Sequence, residues 1–201
     1  FVNIYNNFTN QNIWPRGFPL SKLNYKKVNQ NKSKSSFKIG IWQALANGDP
    51  DVDAIYRLTT NNAPCIFFEN EPLVLDNYTF CPFNSQNTLF IKKLFPLLYL
   101  PTYVTFRFTD ILRGLVAQPI MWEFGYNLGF LKATVTQDRN IHDYFKDFES
   151  EIPMYLNIEK VVELSLKTVS KKLNISDNLF NIYESLHMHN IVEKNELKTL
   201  E

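Results

Sequence analysis

The segment NGDPDVDA, Asn47 to Ala54, carries two carboxylates, Asp51 and Asp53, separated by one residue. Short acidic side chains at that spacing on a loop can turn hard oxygens onto Mg2+ or Mn2+. They can equally decorate a solvated turn, because Asn47, Gly48 and Pro50 beside them are turn formers. The apolar AIYRL that follows is expected to be a strand, which places the pair on a strand-entry loop, where sites concentrate.

Three further constellations could carry chemistry. In TFRFTDILRG, Thr105 to Gly114, a predicted strand delivers Arg107, Thr109 and Asp110 to a helix start, with Arg113 one turn beyond Asp110. A carboxylate there either caps the helix or acts as a general base on a hydroxyl nucleophile. In FCPFNSQNTLF, the block Asn84, Ser85, Gln86 and Asn87 offers neutral donors and acceptors that suit a hydroxyl-rich ligand or a hydrogen-bonded turn. In TQDRNIHDYFKDF, His142 stands beside Asp143 and is a structural residue or a metal ligand oriented by its neighbour. No G-x-S-x-G, H-E-x-x-H, Walker or G-x-G-x-x-G pattern is present, which leaves carboxylate and arginine chemistry.

These residues need a scaffold, and the hydrophobic pattern supplies a mixed one. Short apolar runs, FKIGIW, AIYRLT, CIFF, TLFI and YVTFRF, alternate with Pro, Gly and Asn clusters and read as strands. A helix is predicted from an Asp110 cap through ILRGLVAQPIMWEFGYNLG, ending at Gly125 or Gly129 and kinked or split by Pro119. Another follows the spacing of Ile158, Val162, Val169 and Leu173, and Ser176 is placed to cap a last one. The composition of residues 21–38, rich in Lys, Asn and Ser, predicts a flexible loop, with a basic lid over phosphates as the sharper reading.

The 201 residues bear a net charge of +1, so no global field draws nucleic acid or an anionic membrane. A small-molecule or protein partner is the expectation. The apolar stretch from Leu94 is broken by Pro96 and Pro101 and is too short to span a bilayer. Cys65 and Cys81 lack C-x-x-C spacing, and a single disulfide between them is left open. The first residue is Phe1 and no signal-peptide pattern is seen, so the chain is expected to be a piece of a longer protein.

Four segments in order, NIWPRGFPL, IGIWQALANGDPDVDAIYRLT, FCPFNSQNTLF and VTFRFTDILRG, resemble the STELLO-type glycosyltransferase-like domain of plant Golgi proteins and their relatives. More distantly, the same order is similar to the reversibly glycosylated polypeptides, which include UDP-arabinopyranose mutases. The resemblance runs from about Phe1 to Phe148 and implies a GT-A-like α/β sandwich over residues 1–150, acceptor side only, with helices over 151–201.

It implies transfer of a sugar from a nucleotide-sugar, a UDP-sugar, to a glycan or protein acceptor in a Golgi or secretory-pathway lumen. Mn2+ or Mg2+ would assist, held by an Asp motif upstream of Phe1. Asp51 and Asp53 then match the family's second acidic segment instead of its metal motif, and this piece alone would be inactive. By the same resemblance Asp110 matches a general base and Arg16 faces the donor pyrophosphate. Trp14, Asn84, Gln86, Asn87, Arg107 and Arg113 join Asp51 and Asp53 as candidate donor and acceptor contacts. Where the more distant relatives carry a His, this chain has Gln137, with His142 as a substitute metal ligand only if the loop shifts. The alternatives are a non-catalytic scaffold for other glycan-synthesising proteins and a nucleotide-sugar mutase.

Overall fold

A computed structural model of the chain describes residues 1–23, 37–60, 63–138 and 143–201. Four strands form one mixed sheet: β1 (Ile39–Gly48), β2 (Leu73–Val74), β3 (Thr88–Phe90) and β4 (Asn127–Gln137). Their order is β2-β4-β1-β3. The two long strands, β1 and β4, lie parallel at the centre, and the short edge strands run antiparallel to them. A parallel pair requires a long crossover, and here it includes two helices, α1 (Ala54–Thr59) and α2 (Thr109–Glu123). Three helices then close the chain: α3 (Tyr144–Thr168), α4 (Ile175–Met188) and α5 (Lys194–Leu200). The result is a mixed α/β architecture with C-terminal helices, consistent with a GT-A-like arrangement. The helix α3 begins before residue 150 and runs well beyond it.

The core is centred on α2. Every residue from Ile111 to Trp122 is buried, because the helix packs against β4 on one side and α3 and α4 on the other. A helix enclosed on all sides is apolar nearly all round; Arg113 is its charged exception, and its one buried amide, Gln118, is fully used. Its Nε2 donates to the Cys81 and Gly114 carbonyls and its Oε1 accepts from the Cys81 N–H. Of the expected kink or split at Pro119 the split does not occur: the helix runs on through it to Glu123. Phe124 closes it and Gly125, at φ +75°, reverses the chain into β4.

Several expected elements differ. The AIYRLT segment is the helix α1 and not a strand, because the Asp53 carboxylate accepts the Ile55 N–H and caps it. The YVTFRF segment is a turn, not a strand, closed by the Phe108 N–H on the Thr105 carbonyl. Within CIFF only Cys65 pairs, in reciprocal bonds with Gly48. The cap of α2 is Phe108, so Asp110 lies inside the first turn with its carboxylate left for other partners. The helix α3 reaches back to a cap at Asp143 and ends before Val169 and Leu173, while Asn174 caps α4 in place of Ser176. Cys65 and Cys81 are free and buried, with no disulfide, and burial pushes the Cys81 thiol up to about 12. In the expected loop 21–38, Leu20–Lys22 forms a short 3-10 turn, and residues 24–36 lie outside the described residues.

The central pairing sets a steric test. Trp42 on β1 lies opposite Gly129 on β4, and a Cβ added at Gly129 would come within 2.4 Å of the Trp42 ring. A rigid indole cannot yield as a flexible chain end can. Gly129→Ala is therefore expected to destabilise the fold by ~1–3 kcal/mol, read as a lowered thermal midpoint. An unchanged midpoint would show that the two central strands are not packed in this register.

Candidate functional site

The WPRGF segment builds the site's first side. Pro15, Arg16, Gly17 and Phe18 form a turn, closed by the Phe18 N–H on the Pro15 carbonyl, with Gly17 at φ +84° in the third position. That conformation suits glycine, and a Cβ there would meet Ile111 of α2 at 2.4 Å. The turn thus seats directly on the first turn of α2. Residues 14–16 also run antiparallel to 51–53, through the Pro15–Val52 bridge. Arg16 is delivered between Asp51 and Asp110.

Its guanidinium commits four of its five N–H groups. Nε lies 2.9 Å from Asp51 Oδ1, and Nη2 lies 2.6 Å from Asp51 Oδ2 and 2.9 Å from Asp110 Oδ1. Nη1 donates to the Arg107 carbonyl. Burial opposes the charge, but Asp51 and Asp110 outweigh it and hold the Arg16 pKa above its ordinary value. So engaged, Arg16 is a partner of Asp51 and Asp110, and the pyrophosphate contact expected from sequence has one N–H left to serve it. It orients Asp110.

A second arginine continues the network. Arg107 Nη1 approaches Asp51 at 3.7 Å, and its Nε and Nη2 donate to Glu151 Oε1 at 2.9 and 2.6 Å. Glu151, fully buried on α3, also accepts the Ala54 N–H and the Tyr155 hydroxyl through Oε2, at 2.9 and 2.6 Å. The same hydroxyl lies 3.0 Å from Asp53 Oδ1. It has one proton for two carboxyl groups. Burial, then the nearby Glu151 charge, raises Asp53 to about 7, against the opposing pull of the Ile55 N–H and the Tyr155 hydroxyl.

Asp51 and Asp53 therefore do not converge. One faces Arg16 and Arg107, the other caps α1 beneath Trp14, whose ring packs edge-on to Tyr56. Among the described residues no group of three or more His, Cys, Asp or Glu could hold a metal ion. His142 lies outside the described residues.

Asp110 is the carboxylate paired with Arg16 that reaches the surface, with a side-chain exposure of 17% against 7% for Asp51. Its Oδ1 faces Arg16 and its Oδ2 accepts the Ser85 N–H at 2.9 Å. A carboxylate has about four lone-pair positions, so two bonds fix it and leave acceptor capacity. The polar block is mostly spent on holding this rim. Asn84, buried, exchanges bonds with Gln43, and its Oδ1 accepts the Gln86 N–H. Asn87 donates to the Leu45 carbonyl and to Thr134. Gln86 reaches the Asp49 carbonyl and Gln137 only at 3.5 Å, which leaves its amide the most available of the block.

Arg113 is brought near Asp110 but turns inward, lying over the Phe83 and Phe90 rings at 5.6 and 5.2 Å. Its Nε and Nη2 have no hydrogen-bond partner, and burial lowers its pKa against the pull of Asp110. Sequence reasoning missed Glu151 and Tyr155, which complete the network from α3. Their only signal was helical spacing, four residues apart, which any helix shows.

A family model described as STELLO glycosyltransferases matches residues 107–201. Two Arabidopsis thaliana proteins, Probable glycosyltransferase STELLO2 and Probable glycosyltransferase STELLO1, are each 31% identical to the chain over 189 residues. The match covers 90% of this chain and 24% of each relative's length.

The Asp53 carboxyl carries a pH signature. It ionises near 3.8 when unperturbed and near 7 in the fold, so between those values the folded state keeps a proton that the unfolded chain has released. Its contribution therefore falls as pH rises through that window. Asp53→Asn keeps the oxygen that bonds Ile55 and Tyr155 and replaces only Oδ2, which has the Trp14 indole as its neighbour but no bond of full hydrogen-bond geometry. The variant is expected to be more stable than the parent at pH 8, by ~1–3 kcal/mol, and to converge with it near pH 4. Thermal unfolding across pH checks this; a pH-independent difference would contradict a proton held at Asp53.

Proposed function

We propose, from the premise that the chain belongs to the STELLO-type glycosyltransferase family, that it forms the acceptor-side portion of an inverting transferase. The donor is a nucleotide-sugar, a UDP-sugar, and the acceptor is a glycan or protein hydroxyl in the secretory-pathway lumen, in the Golgi. The chain spans about a quarter of the length of the relatives it matches, and the activity belongs to the whole protein. No described helix is long and apolar enough to cross a membrane.

The observation that supports this reading best is Asp110, a fixed and partly exposed carboxylate at the entry of α2, gripped by Arg16 and the Ser85 N–H. In the reaction, an acceptor hydroxyl gives its proton to the Asp110 carboxylate as its oxygen bonds to the anomeric carbon. The bond from that carbon to the donor's phosphate oxygen breaks, and the nucleoside diphosphate leaves with the electron pair. A base held in one rotamer is most effective here, because the hydroxyl becomes nucleophilic only in line with the departing group. Arg16 and Asp51 supply that hold. Gln86 and Ser85, beside Asp110, are placed to meet acceptor hydroxyls. A divalent metal, Mn2+ or Mg2+, remains part of the proposal for the whole protein, but these residues do not assemble a site for one, and no step above runs through it.

Asp110→Asn in the whole protein is expected to lower kcat by ~10²–10⁴-fold while the donor Kd stays within about twofold. Calorimetric titration of UDP-sugars and a single-turnover transfer assay read the two quantities. Retained turnover would remove Asp110 from the base role. Absence of donor binding by the whole protein would favour a scaffold that organises other glycan-synthesising proteins.

A further inference from the structure

A groove of about 780 Å³ lies between the turn around Thr105, Pro153 on α3 and the connection from α4 into α5. Neither Arg16 nor Asp110 lines it. We propose that this groove binds a neutral oligosaccharide. Its volume falls in the range of small-ligand sites, roughly 300–1,000 Å³.

The chemistry of the lining selects the class. The apolar surface open to a ligand is that of Val104, Pro153 and Ile191, all half-buried, with Phe108 and Val192 buried behind it, and it suits the C–H faces of pyranose rings. Tyr103, 42% exposed, adds an aromatic face with a hydroxyl at its tip. The polar part includes Asn190 and Asn195, whose amide groups both donate and accept as paired sugar hydroxyls require, and His187, which offers an acceptor. Glu193 and Lys194, adjacent in the lining, oppose each other's charge, so the groove has no field that selects an anion.

Both walls are fixed before any ligand arrives. On one side the fully buried Glu196 carboxylate accepts the backbone N–H groups of Thr102 and Tyr103, at 3.0 and 2.7 Å, and the Tyr99 hydroxyl. Thr105 donates to the Ser150 carbonyl at 2.6 Å. On the other side α4 ends with the Asn190 and Ile191 N–H groups on the His187 and Leu186 carbonyls, with Asn190 in the left-handed region at φ +58°. His187 Nδ1 lies 3.2 Å from the Val192 carbonyl, which holds the ring and leaves Nε2 as an acceptor. Walls held this way lose little freedom on binding. That the oligosaccharide is the acceptor of transfer rests on the function proposed above; that the groove holds one does not.

The test is a titration of the isotopically labelled chain with hexasaccharides of β-linked glucose, xylose and mannose, followed by amide chemical shifts, with hexagalacturonate as the anionic comparison. At least one neutral hexasaccharide is expected to shift Tyr103, Thr105, Asn190 and Asn195 saturably, and the anionic one is not. Tyr103→Ala and Asn195→Ala should each weaken that binding by about tenfold. Both substitutions leave the backbone contacts to Glu196 in place, and thermal unfolding verifies their fold. Asp110→Asn should leave the Kd unchanged. No shift with all three at millimolar concentration, an equal response to hexagalacturonate, or indifference to both substitutions would overturn the proposal. Intact groove binding together with undiminished transfer in Asp110→Asn would sink the base assignment and leave the groove standing.

Discussion

The bidentate pairing of Arg16 with Asp51 is the contact on which the surroundings of Asp110 depend. Both side chains are nearly fully buried, and a buried charge costs several kcal/mol unless it is paired with good geometry and its remaining donors are satisfied. Arg16 meets that requirement with two carboxylates and one carbonyl. Because four of its N–H groups must find their partners at once, the WPRGF turn, the loop before α1 and the entry of α2 are locked into one relative position. Such a network adds less to net stability than to uniqueness: displacing any one member strands a charge in the interior.

The network also carries an electrostatic imbalance. Two arginines, Arg16 and Arg107, face Asp51, Asp110, Asp147 and Glu151, with Asp53 close behind Glu151. Carboxylates outnumber guanidinium groups, and the surplus is relieved where solvent is least able to help. Asp53 retains a proton toward neutral pH, and the Tyr155 hydroxyl sits between it and Glu151. The Coulombic load is thereby taken up deep in the fold, away from the exposed carboxylate of Asp110.

One turn serves two surfaces. Thr105 and Arg107 are bound to α3, through the Ser150 carbonyl, the Ser150 hydroxyl and Glu151, while the Arg107 carbonyl receives Arg16. Thr105 and Phe108 of the same turn line the groove, and Asp110 follows two residues after Phe108. The C-terminal helices therefore contribute to the site: α3 supplies the carboxylate that anchors the turn, and α5 supplies Glu196, which fixes the segment leading into it.

The sequence by itself determined the elements whose signal is local and repeated. The start of β1, in FKIGIW, and the helix from Asp110 to Gly125 were legible because an apolar pattern or a glycine stop is written in consecutive residues. So was the identity of Asp110 as a carboxylate at a helix entry. AIYRLT was not legible, since six residues fit either period and the deciding contact is one hydrogen bond from the Asp53 side chain. Nor was the fate of the charges. Asp51 and Asp53 are near neighbours in sequence, yet one pairs with arginines from two other segments and the other holds a proton beside Glu151, about a hundred residues away. Only tertiary structure could decide this, because desolvation and Coulomb energy depend on distances in space that residue spacing does not encode.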